Sequence, residues 1–155
     1  INNPIQASIN NRIKGFMDTV ADNPNYEIVA QAVGAGEFEI SADAMATILK
    51  TNVEFDVVMG GNDPTALGAL ASLQQYHRED GVLIYGIDGS PDFKSMLKLG
   101  YVTGTSIQSP KTIGRVAAEA AYQYLDGQEE EPYISIEPEM LTRENLEDYE
   151  INGWQ

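Results

Sequence analysis

The stretch Val82-Leu83-Ile84-Tyr85-Gly86-Ile87-Asp88-Gly89-Ser90-Pro91 decides the fold. An apolar run too short for a helix stops on one acidic residue, and a serine followed by proline opens the next segment. Such unbroken apolarity is what a parallel strand covered on both faces requires. Ser90 reads as an N-cap whose hydroxyl accepts from a free amide of the first turn, and Pro91, lacking an N–H, fits the next position. The same order recurs in Asp56-Val57-Val58-Met59-Gly60-Gly61-Asn62-Asp63-Pro64 and in Val102-Thr103-Gly104-Thr105-Ser106-Ile107-Gln108-Ser109-Pro110, with Asp63 and Ser109 as the expected caps. Ligands bind at the carboxyl ends of the strands in an open α/β sheet, so Asn62, Asp88 and Gln108 converge on a candidate site. Asn and Gln donate and accept, and ionised Asp only accepts. That set suits a polyhydroxylated ligand and suits neither a nucleophile nor a metal.

Working outward, apolar residues three and four apart (Ile9, Ile13, Phe16, Met17, Val20) predict an amphipathic helix over Ala7 to Val20. Tyr26 to Val33 reads as a strand, Gly34 to Phe38 as a loop, and Ser41 as the cap of a helix carrying Ala44, Met45, Ile48 and Leu49. Helices are predicted over Pro64 to Tyr76, Pro91 to Leu99 and Pro110 to Leu125, with Gly100 and Gly127 as stops. Gly68 and the neighbouring alanines permit close packing on the sheet. In the tail, Gln128 to Glu131 is an acidic turn, Tyr133 to Ile136 alternates like an edge strand, and Thr142 caps a short turn holding Asn145. Strand and helix alternate through most of the chain, which predicts a doubly wound parallel sheet, Rossmann-like or flavodoxin-like.

The 155 residues are 43% hydrophobic and 21% charged, ordinary for a soluble domain with one core. Cysteine is absent, which excludes disulfides, thiolate catalysis and thiolate metal sites. A formal net charge of −15 repels phosphate backbones, so nucleic acid is not an expected partner. No stretch approaches the ~20 apolar residues that cross a bilayer. Ile1-Asn2-Asn3-Pro4 reads as a loop entered from upstream, as in a fragment or processed product, with any targeting signal on the preceding piece.

Taken alone, Asn62 and Asp88 fit turn-forming roles as well as ligand contacts, because both residue types satisfy nearby backbone amides. His77 sits near a helix end among Arg78, Glu79 and Asp80 and reads as a surface residue. Trp154 reads as edge packing. Gly34-Ala35-Gly36 lacks the third glycine and the helix entry of a dinucleotide loop.

The motifs in order resemble the second half of the periplasmic sugar-binding proteins of bacterial ABC importers, the ribose and galactose type. The residues that carry the resemblance are Arg12-Ile13-Lys14-Gly15-Phe16, Gly61-Asn62-Asp63 with Ala66-Leu67-Gly68-Ala69, and Gly86-Ile87-Asp88-Gly89-Ser90-Pro91-Asp92. They continue with Gly100 to Thr105, Gln108-Ser109-Pro110, Leu125-Asp126-Gly127 and Leu141-Thr142-Arg143-Glu144-Asn145. The resemblance implies that Arg12, Asn62, Asp88 and Gln108 contact a sugar, and that Phe38 offers the aromatic face that stacks on it, although its spacing to the next helix is shorter than the family pattern. A guanidinium presents a rigid fork of donors suited to adjacent hydroxyls.

The resemblance further implies a type I periplasmic binding protein fold divided into a ligand-binding lobe over residues 1–108, a helix over 109–127 that packs on a missing N-terminal lobe, and a return strand and tail over 128–155. It implies a non-enzymatic protein without cofactor that closes by a hinge around a monosaccharide and delivers it to a membrane permease, in the periplasm or on the outer side of the cell membrane. One alternative keeps the lobe but makes it the sensor of a transcriptional regulator or the bait of a sensor kinase. Another is a phospho-receiver or enzyme with Asp63 or Asp88 as the reactive carboxylate.

Overall fold

The computed structural model describes residues 7–128 and 133–154. The helical repeats become α1 (Ala7–Ala21), α2 (Phe38–Leu49), α3 (Asp63–Gln75), α4 (Pro91–Leu99) and α5 (Pro110–Leu125), and the short apolar runs become β1 (Val57–Met59), β2 (Leu83–Asp88) and β3 (Gly104–Ile107). A fourth strand, β4 (Glu139–Thr142), and a 3-10 turn at Leu146–Asp148 close the chain. The sheet order is β1-β2-β3-β4, parallel through β3 and antiparallel at β4. The α/β reading holds, with one returning strand on the sheet. Helix α4 has the expected ends: Ser90 Oγ accepts from Phe93 N at 3.3 Å, and Gly100 stops the helix in the left-handed conformation at φ 87°.

Register explains where the core lies. Val58 pairs with Ile84, Gly86 with Thr105, and Thr105 with Leu141. Alternation places these residues and Ile107 on one face of the sheet. Helices α2, α3 and α4 cover that face with Met45, Leu49, Leu70, Leu73, Phe93 and Leu97, forming one continuous core. On the opposite face Val57, Leu83 and Met140 are 39%, 44% and 47% exposed, so β2 is not covered on both sides by the described residues as its apolarity predicts. Helix α5 buries none of its residues, and Ile113, Tyr122, Tyr124 and Leu125 stand exposed. Behind α4, the buried Lys94 donates from Nζ to the carbonyl of Glu150 at 2.6 Å and so ties the tail to the body.

Several local expectations are corrected. The cap of α3 is Asn62, whose Oδ1 accepts from Thr65 N at 3.1 Å, and Asp63 is the first helical residue. Ser109 occupies the cap position of α5 without a side-chain bond. Helix α2 begins before Ser41, which lies inside it and turns its hydroxyl to the carbonyls of Gly34 and Glu37. Tyr26 to Val33 forms no ladder beyond a single bridge residue at Val33. This segment takes no place in the sheet, whose order begins at β1, and with residues 54–59, Ile13, Phe16, Met17 and Met45 it lines a groove of about 470 Å³. In the tail the strand is Glu139–Thr142, because it is this segment that meets the open edge of β3, and residues 133–136 are irregular. The acidic turn expected over 128–131 falls on positions 129–131, outside the described residues.

Gly68 permits close packing, but against α2 and not against the sheet. A Cβ at Gly68 would lie 2.2 Å from the carbonyl oxygen of Phe38 and 3.0 Å from Cβ of Ser41. Gly68→Val is therefore expected to force α2 off α3 and to lower the unfolding free energy by about 2 kcal/mol or more. Urea denaturation measures this, and an unchanged midpoint would show that the two helices have room to spare.

Candidate functional site

The strands bring three residues distant in sequence to their carboxyl ends. Asp88 closes β2, Gln108 follows β3 directly, and Arg12 projects from α1. Arg12 Nη1 donates to Asp88 Oδ1 at 3.2 Å and to the carbonyl of Gly61 at 3.1 Å. Gln108 Nε2 donates to the same Asp88 Oδ1 at 2.5 Å, and its backbone amide donates to the carbonyl of Asp88 at 3.1 Å. The ion pair is partly shielded, with the Arg12 and Asp88 side chains 22% and 21% exposed. Three of the five predicted site residues thus form one polar cluster.

The other two lie outside that cluster. Asn62 spends its amide on the backbone, accepting from Thr65 N and donating from Nδ2 to the carbonyl of Gly36 at 3.0 Å. It fastens the loop before α2 to the loop after β1. Phe38 opens α2 two residues beyond Gly36 and is 42% exposed, so it stands at the end of the loop that Asn62 anchors.

Two further residues of this region, Asp63 and Thr105, have a role that the sequence reading did not assign to them. Asp63 is fully buried, and its carboxylate accepts from Ser90 N and from Thr105 Oγ1, both at 2.6 Å. Thr105, also fully buried, accepts in turn from Gly89 N at 3.3 Å. Thr105 carried a signal: it has the strand parity of Ile107, so a polar group there must find an interior partner. Gly86 makes the room, since a Cβ on it would lie 2.3 Å from Asp63 Oδ1.

Electrostatics follow from burial. Desolvation pushes the Asp88 carboxyl above its ordinary value, opposed by the Arg12 guanidinium, by Gln108 and by the backbone amide of Asp63. Desolvation raises the Asp63 carboxyl too, opposed by its bonds from Thr105 and Ser90 and aided by the charge of Asp88. A reactive carboxylate must be reachable, and Asp63 is sealed in the interior while Asp88 is engaged by Arg12, Gln108 and the backbone amide of Asp63. Among the described residues no group of three His, Asp or Glu side chains is placed to hold a metal ion. The arrangement gathers acceptors and donors at the carboxyl ends of the strands, where ligands bind in open α/β sheets.

Comparison with known proteins gives this class its family. Residues 2–129 match the model of the periplasmic binding protein domain, and the chain belongs to that family. It is 27% identical over 144 residues to the ribose import binding protein of Escherichia coli, covering 85% of this chain and 48% of that one. It is 30% identical over 114 residues to a D-apiose import binding protein of Paraburkholderia graminis, covering 74% and 36%. Among solved structures, an ABC transporter solute-binding protein of Bacillus halodurans with bound myo-inositol matches with a TM-score of 0.88 and 27% identity over 98% of this chain and 53% of that chain. A periplasmic solute-binding protein of Actinobacillus succinogenes with bound D-allose gives 0.89 and 26% over 96% and 53%. The chain spans about half the length of the ribose import binding protein and of the two solved solute-binding proteins, and about a third of the D-apiose import binding protein.

The direction of the Asp88 shift fixes a pH response. A carboxyl whose folded pKa is raised binds its proton more tightly folded than unfolded, so its contribution is complete below the unfolded value of 3.8 and is lost as pH rises through the raised value. Wild type is therefore expected to lose stability relative to Asp88→Asn as pH rises from the unfolded value. Urea unfolding across a pH series measures it, and wild type gaining stability relative to Asp88→Asn over this range would mean that Arg12 and Gln108 outweigh desolvation.

Proposed function

We propose that this chain is the ligand-binding lobe of a solute-binding protein that captures a monosaccharide for an ABC importer outside the cytoplasmic membrane. The observation that carries the reading is the Asp88 carboxylate, held at the end of β2 between the guanidinium of Arg12 and the amide of Gln108. A sugar hydroxyl donates to such a carboxylate and accepts from such donors, and the charged partners strengthen both bonds. Asn62 and Phe38 complete the crevice as a further polar contact and as an apolar face for the ring.

A second lobe closes over the site by a hinge, and binding energy comes from hydrogen bonds made in the closed crevice. Residues 1–108 form the sugar-binding lobe, 109–127 the helix that crosses to the second lobe, and 128–155 the return. Two features support this division: α5 buries none of its residues within the chain, and one face of the sheet is left half covered. The protein carries out no chemistry on its ligand and needs no cofactor. Its partners are the sugar, the second lobe and a membrane permease, and not nucleic acid. The relatives and solved structures that match include import and solute-binding proteins, which favours transport over a regulatory output.

Calorimetric titration of the full-length protein with a panel of pentoses and hexoses tests the reading. Tight binding of one sugar is expected, and Arg12→Ala and Asp88→Ala are each expected to weaken it by about 2 kcal/mol or more, because each leaves a buried partner unpaired. Absence of heat from every sugar, or unchanged affinity in both variants, would overturn the assignment.

A further inference from the structure

Asp88 combines two properties that rarely occur together. It is the acceptor at the centre of the polar cluster, and its backbone sits at φ 136°, where L side chains are seldom found. A residue keeps such a conformation only when its surroundings impose it. The residues after it show what does so. Gly89 N is held by Thr105 Oγ1, Ser90 N is held by Asp63 Oδ2, and the Thr105 hydroxyl is itself aimed by donating to Asp63 Oδ1. On the other side, Gln108 N holds the Asp88 carbonyl. The two amides that follow Asp88 are therefore fastened to a fully buried carboxylate and hydroxyl that do not themselves belong to the polar cluster.

We propose that Asp63 and Thr105 are positioning residues for the ligand site: by clamping the amides of Gly89 and Ser90 they hold Asp88 in its left-handed backbone conformation and so aim its carboxylate at Arg12 and Gln108. The chain of contact runs from the first turn of α3 through the interior of β3 to the turn that ends β2. Three strand ends are locked together by one carboxylate. Gly86 is part of the device, since only a residue without Cβ lets Asp63 reach across β2. Ser90 serves it twice, giving its amide to Asp63 and its hydroxyl to the cap of α4, so the clamp also fixes where α4 starts.

The inference rests on the sugar-binding reading for its effect on affinity, and on geometry alone for its effect on Asp88. The experiment uses full-length protein carrying Thr105→Val, which keeps the shape and removes the hydroxyl, Thr105→Ser, which keeps the hydroxyl, and Asp63→Asn. Crystal structures report the Asp88 torsion and the Arg12 to Asp88 distance, and titration with D-ribose, D-allose and myo-inositol reports affinity well below the melting temperature. In Thr105→Val and Asp63→Asn, Asp88 is expected to leave the positive-φ region and separate from Arg12, with affinity falling about tenfold or more, while Thr105→Ser stays within about twofold of wild type. If Asp63→Asn does not fold, the Thr105 pair decides. Asp88 unmoved in Thr105→Val, with the Arg12 pair intact, overturns the proposal. Asp88 displaced with affinity unchanged would uphold the clamp and overturn the ligand role of Asp88, and a wild type that binds none of the three sugars would leave the torsion as the deciding readout.

Discussion

A carboxylate taken most of the way out of water has to be answered by donors, and the need to answer Asp88 organises the top of this molecule. Desolvation costs an ion several kcal/mol, which a single neutral bond does not recover. Arg12 brings charge, Gln108 brings a short amide bond, and the first amide of α3 adds a third donor. Arg12 also grips the carbonyl of Gly61, so one guanidinium draws α1 onto the turn after β1 and onto the end of β2 together. Helix α1 buries only Ile9 and Ile13, and its place over the strand ends owes much to that one side chain.

Much of this was legible in the order of residues. The apolar runs ending at Asp88 and Ile107, each followed by a Ser-Pro pair, marked the strand ends and the starts of α4 and α5. The stop at Gly100 followed from the need for φ above zero. What could not be read was which of two neighbouring polar residues does which job. Asn62 and Asp63 are equally able to cap a helix, and only the three-dimensional neighbourhood, with Gly36 on one side and Ser90 and Thr105 on the other, sends Asn62 to the cap and Asp63 to the interior.

The misread strand has a different cause. Tyr26 to Val33 carries the right residue types, but a strand is a pairing and not a composition, and beyond the bridge residue at Val33 this segment has no ladder partner among the described residues. Likewise Tyr133 to Ile136 alternates correctly while the register with β3 belongs to Glu139–Thr142. Local pattern registers willingness to extend. Which segment meets an edge is settled by chain geometry.

The mutual bonding of Arg12, Asp88 and Gln108 has a thermodynamic consequence for any ligand. Arginine and glutamine are among the side chains with the most rotamer freedom, and here that freedom is surrendered on folding, before a ligand arrives. Fixing such a side chain at the moment of association costs roughly 0.5–1.5 kcal/mol each. On the reading proposed above, a ligand reaching these three side chains meets groups already ordered, and the lobe acts as a rigid template. Selectivity, on that reading, comes from how well a ligand's polar groups match fixed vectors, and little from adaptation of the protein.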